Sequence, residues 1–162
     1  MNIEQVEETN LGKGILFALG GLVAGFVLWI AVIFIIGGGT GGAVGGGLAA
    51  VLGSLIVGAY KKGNGPSGVV GIVIVVILTI IGAVGVITLG VGIIVYQEGF
   101  AHTIFDGVDL LFADFGNRGP LGSAYLREVI TMSGIAAGMS IFTMIGNKKG
   151  KKEDGSSLED LG

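Results

Sequence analysis

The sequence predicts an all-α membrane protein: a transmembrane four-helix bundle with a short amphipathic helix in the outer loop between spans 3 and 4. Three observations predict it. Only 13% of the 162 residues are charged and the mean hydropathy is +0.87, whereas soluble domains average about 25% charged. The charges cluster, with none between Lys13 and Lys61, Lys62 and Glu98, or Glu128 and Lys148. Glycine supplies 34 residues with no collagen period, interleaved with Val, Ile and Leu, unlike a disordered Gly-rich segment. The length allows one domain. There is no cysteine, which excludes disulfides and thiolate metal sites.

The first ten residues, MNIEQVEETN, are acidic and lack a positive n-region. The apolar run after Lys13 is too long for a signal h-region and has no A-x-A site, so it reads as a retained span. Residues 1–13 are expected to form a cytoplasmic N-terminal segment, 14–146 a single four-span membrane domain, and 147–162 a polar, disordered cytoplasmic tail. Span 1 is Gly14 to Ile36, 23 uncharged residues, where crossing needs ~20. Gly21 and Gly25 form a small-xxx-small pair in it, and Trp29 reads as packing or lipid-facing.

Gly37 to Gly58 is the stretch the chain is organised around. Two rows of small residues run along it at a spacing of four: Gly38, Gly42, Gly46, Ala50, Ser54 and Gly58, and Gly37, Gly41, Gly45, Ala49 and Gly53. On a helix such rows form ridges, and in a membrane they let another helix approach closely. Span 2 is therefore Gly41 to Tyr60, after a tight turn at Gly37 to Thr40. The alternative makes the glycines a loop, leaving Leu48 to Tyr60, about 13 residues and too short to cross. An unpaired backbone group in lipid costs several kcal/mol, which favours the longer helix. The predicted partner of this strip is span 1 or span 3, held adjacent by short turns, with a second subunit as the alternative.

Tyr60-Lys61-Lys62 ends the span, and Gly63 to Gly68 is a turn. Span 3, Val69 to Tyr96, exceeds the crossing length and must tilt or protrude. In the loop from Gln97 to Ala124, Ile104, Val108, Leu111 and Phe115 recur at helical spacing, with Phe105 and Phe112 alongside and Asp106 and Asp109 facing the other way. Thr103 with Asp106 is a start signal and Gly116 a stop. The loop is expected to hold a surface helix from Ile104 to Phe115, with Phe105, Leu111, Phe112 and Phe115 toward lipid or the bundle. Asn117 to Ser123 reads as a turn. Span 4 runs from Tyr125 to Ile145 and carries the small-xxx-small pair Gly134 and Gly138. Lys13, Lys61, Lys62, Lys148, Lys149, Lys151 and Lys152 fall on one side and Arg118 and Arg127 on the other, which places both termini in the cytoplasm.

Few residues suggest chemistry. His102, the only histidine, has Glu98, Asp106 and Asp109 at roughly helical spacings. A weak cation site is one reading and a solvated acidic face the better one. Thr88-Leu89-Gly90-Val91-Gly92 is similar to a potassium-filter sequence, but it sits inside a continuous apolar run and reads as a helix contact. Thr79, Thr88, Thr131, Ser133, Ser140 and Thr143 are the polar side chains at depth, besides Ser54, and such hydroxyls mostly bond their own backbone. Lys148 to Lys152 reads as a topology determinant ahead of an anionic-lipid site. No Walker, Rossmann, serine-nucleophile or H-E-x-x-H pattern occurs, so no catalytic, cofactor or metal residue is assigned.

The layout resembles a group of uncharacterised four-span membrane proteins of bacteria, mostly Gram-positive. They share a Gly-rich first hairpin ending in a Gly-x-Tyr-Lys turn, here Gly58-Ala59-Tyr60-Lys61. The resemblance covers roughly Gly14 to Ile145 and carries no established activity. The expected function is a non-enzymatic structural or accessory subunit of the bacterial cell membrane, packing with itself or a membrane-protein partner through the glycine strip. A small channel or transporter component, with span 2 lining a path, is the alternative. The lipid bilayer is the expected environment, and no nucleic-acid partner is implied.

Overall fold

A computed structural model of the protein describes residues 9–36, 43–117 and 119–146. It contains five helices: α1 (Leu11–Ile36), α2 (Ala43–Lys62), α3 (Val69–Gln97), α4 (Ile104–Gly116) and α5 (Pro120–Gly146). No strand occurs among the described residues. Helices α1, α3 and α5 are each long and apolar enough to cross a membrane. The predicted turn at Gly37 to Thr40 and the tail 147–162 lie outside the described residues, as do residues 1–8.

Two helices begin earlier than the apolar runs suggest. α1 starts at Leu11 because the Asn10 side chain accepts from the Lys13 amide at 2.9 Å, an N-cap that satisfies an orphan donor. α5 starts at Pro120, inside the predicted turn of Asn117 to Ser123. Proline suits a first helical position, where its missing N–H is no loss. The cap comes from the preceding helix: Asp114 Oδ2 accepts from the Gly122 amide at 2.7 Å. A carboxylate there also complements the positive end of the helix dipole.

Two helices end in matching caps. After α2 the Asn64 amide donates to the Lys61 carbonyl at 3.0 Å and the Gly65 amide to that of Tyr60 at 3.1 Å. Asn64 takes φ 56°, so this is a Schellman ending with Asn in the left-handed position. After α3 the same pair runs from Gly99, at φ 79°, to Tyr96 and from Phe100 to Val95, both at 3.1 Å. α4 begins as its sequence predicts: Thr103 is the N-cap, and its hydroxyl accepts from the Asp106 amide at 3.1 Å.

The four long helices form a ring in which α1 packs on α2 and α3, and α5 packs on α2 and α3. α1 buries Gly14, Ala18, Gly21, Gly25, Trp29 and Ile33, one stripe at spacings of three and four. Its small residues face large ones near the lysines, where Tyr60, Ile56 and Leu52 are fully or almost fully buried. Toward the other end the sizes reverse, and Trp29 and Ile33 share a cluster with Ala49 of α2. The two helices thus taper against each other, which holds the ~8–10 Å spacing of packed helices along the seam. α3 receives α1 in the same way: an added Cβ would stand 2.8 Å from Phe26 at Gly85 and 3.0 Å from Ile33 at Gly90.

α4 lies against α3 where two glycines meet. A Cβ on Gly107 would stand 2.5 Å from the Gly92 carbonyl oxygen, and one on Gly92 would stand 2.7 Å from that of Ile104. Leu111 is fully buried, whereas Phe105, Phe112 and Phe115 stay 75%, 54% and 46% exposed. The outside of the bundle is a belt of uncovered Leu, Val, Ile and Phe, among them Leu16, Val27, Ile35, Ile81, Ile130 and Phe142. A soluble monomer rarely exposes such continuous apolar surface.

Candidate functional site

The two predicted rows of α2 have different fates. Gly37, Gly38, Gly41 and Gly42 lie outside the described residues, and Gly45 falls within α2. Ala49 and Gly53 turn inward. A Cβ on Gly53 would stand 2.6 Å from the Ala136 carbonyl oxygen and 2.8 Å from Ser140 Oγ, so this close contact is made with α5. The row through Ala50, Ser54 and Gly58 turns outward. Gly46 would only touch Ile135 at 3.5 Å, and Gly58 meets nothing within 4 Å. Gly134 and Gly138 of α5 also face open space. The predicted packing role therefore does not hold within the chain for Gly58, Gly134 or Gly138, and is marginal at Gly46.

The partner of the strip is α5 at Gly53, whereas Ala49 of the same buried row shares a cluster with Trp29 and Ile33 of α1 and with Val86 and Ile87 of α3, as predicted. Where α1 meets α2 the bare backbone belongs to α1: a Cβ on Gly21 would stand 2.8 Å from the Leu55 carbonyl oxygen and 2.9 Å from the Ala59 Cβ, and one on Gly25 would overlap Leu52. The pair Gly21 and Gly25 is the signal for this contact in the sequence. It is a single step of four residues, shorter than the glycine rows of α2.

A polar seam joins α3 to α5. Ser140 Oγ donates to the Ala136 carbonyl at 2.9 Å, which leaves its lone pairs to accept from Thr79 Oγ1 at 3.0 Å. Both side chains are fully buried. Nearer the other end Thr88 Oγ1 donates to Val84 at 2.8 Å and accepts from the Tyr125 hydroxyl at 2.9 Å. Ser54, Thr131 and Thr143 bond the carbonyl four residues back, at 2.8–2.9 Å, as the sequence leads one to expect. Ser133 Oγ is buried without a partner among the described residues. The inter-helix bonds have no signal in the sequence, because hydroxyl spacing alone does not say which helices meet.

The filter-like run Thr88 to Gly92 is ordinary helix within α3. His102, Asp106 and Asp109 are all exposed. Among the described residues no three His, Asp or Glu side chains converge as a metal site. At the lysine end, just beyond the apolar span that closes at Tyr60, Lys61 Nζ donates to the Thr143 carbonyl at 2.8 Å. Thr143 lies in the last turn of α5, where carbonyls lack helical partners and a cation is favourable. Burial at that contact lowers the Lys61 pKa from its ordinary value.

The concave feature at this end is a groove of about 450 Å³ along the outer face of α2. Ala50, Ser54 and Gly58 line it with Gly21 of α1, Met139 of α5 and Lys62. It holds no activated nucleophile: the Ser54 hydroxyl donates to the Ala50 carbonyl at 2.9 Å. No family model, curated protein or solved structure matches the chain.

Proposed function

We propose that the protein is a non-enzymatic, four-span integral protein of the bacterial cell membrane, a structural or accessory subunit that packs with a partner through a glycine-rich helix face. α2 is the remaining span in this reading. Its apolar part, from Ala43 to Tyr60 with the two lysines beyond it, makes ~27 Å of helix, within the range that crosses a hydrocarbon core. The lysine bias puts both termini in the cytoplasm and α4 outside. The resemblance of the Gly58-Ala59-Tyr60-Lys61 hairpin supports the bacterial setting.

The observation that carries the subunit role is the pair Gly134 and Gly138, which the chain's own packing leaves uncovered. A glycine pair one turn apart on an outward face lets a second helix come close enough for extensive van der Waals contact. The chain has no cysteine, so a single one at Gly138 reports on that face alone. Crosslinking in native membranes is expected to give a discrete band of higher mass. A monomer band only, with solute flux from proteoliposomes of the purified protein, would replace this reading by the channel component.

A further inference from the structure

We propose that the groove on the outer face of α2 binds one acyl chain of an anionic phospholipid, whose headgroup is held by Lys62. The proposal rests on the reading that α1, α2 and α5 cross a bilayer. The groove floor is low because Ala50, Ser54 and Gly58 carry little or no side chain, and Leu55 and Met139 flank it. The Ser54 hydroxyl is committed to the Ala50 carbonyl, so the floor offers a passing ligand no free donor. That surface suits a hydrocarbon chain.

Charge at the mouth selects the headgroup. The described lysines, Lys13, Lys61 and Lys62, gather at one end of the bundle: a Cβ on Gly63 would stand 2.6 Å from the Lys13 carbonyl oxygen. The described acids, Glu98, Asp106, Asp109, Asp114 and Glu128, all follow α3, toward the other end. Lys61 is already engaged by the Thr143 carbonyl at 2.8 Å, whereas Lys62 is exposed and lines the groove. A basic residue at this level attracts an anionic headgroup, and a zwitterionic one brings its own cation to the same place. A second copy is the poorer occupant. A two-fold axis along the bilayer normal, the symmetry that keeps both copies in one orientation, sets lysine end against lysine end.

Gly58→Leu is the decisive variant. Nothing lies within 4 Å of a Cβ at Gly58, so the leucine enters the groove without disturbing the fold. Gly20 is equally open and does not line the groove, so Gly20→Leu is its control. The protein, extracted in mild detergent, is mixed with equal amounts of phosphatidylglycerol and phosphatidylcholine bearing the same chains. Native mass spectrometry then reads the retained lipid. The wild type is expected to retain phosphatidylglycerol about fivefold over phosphatidylcholine. Lys62→Gln brings the two together, Gly58→Leu loses both, and Gly20→Leu behaves as the wild type. Equal retention of the two lipids by the wild type overturns the proposal. So does wild-type retention by Gly58→Leu, or a lipid-free dimer that Gly58→Leu splits. Release of the chain from native membranes by alkaline carbonate is a separate failure, which defeats the bilayer reading and the proposal with it.

Discussion

At Gly53 a single methyl group decides whether α2 and α5 can touch. The Cβ it lacks would stand 2.6 Å from a backbone oxygen, and backbone cannot rotate away as a side chain can. Gly53→Ala is expected to destabilise the protein by ~1–3 kcal/mol through overpacking. Gly134 is the opposite case, since a Cβ there meets nothing within 4 Å. Gly134→Ala should be neutral, or stabilising by up to ~1 kcal/mol from helix propensity. Thermal unfolding in one detergent compares the two, and equal melting shifts would refute the inward and outward assignment of the glycines. The same reasoning covers Ser140, whose hydroxyl fits beside Gly53 because the glycine leaves room for it.

α4 is anchored as an element, by a crossing of two glycines and one leucine. Gly107→Leu would push a side chain into the Gly92 backbone and lift the helix, whereas Phe105→Ser alters a side chain 75% exposed. Hydrogen exchange over residues 104–116 is expected to speed up in Gly107→Leu and stay near the wild-type rate in Phe105→Ser. Equal protection in both would mean that the crossing does not hold the helix. This element was legible beforehand, since Thr103, the apolar period and Gly116 are all local signals and its bounds differ from expectation by one residue at most. The start of α5 was not legible. Asn117 to Ser123 has the composition of a turn, and what makes Pro120 onward helical is Asp114, a side chain from the helix before. The faces of α2 were half legible. Both rows look alike in sequence, and only the positions of Ala136 and Ser140 decide which row turns inward.

For the molecule as a whole, the ring and the lysines lead to a topology that cysteine labelling can read. An impermeant thiol reagent on intact cells is expected to modify a cysteine placed at Asn117, beyond α4, and to spare one at Asn64, in the turn after α2. Labelling at Asn64 would reverse the orientation, and labelling of neither would place α4 inside. The ring has a further consequence, in the order of synthesis. α5 supplies the partner of Gly53 on α2, both inter-helix hydroxyl bonds of α3, and the carbonyl that receives Lys61. It is also the last of the five helices to leave the ribosome. Until it arrives, Gly53 of α2 and Thr79 of α3 lack the α5 backbone and hydroxyl that meet them, although α1, α2 and α3 already pack on one another.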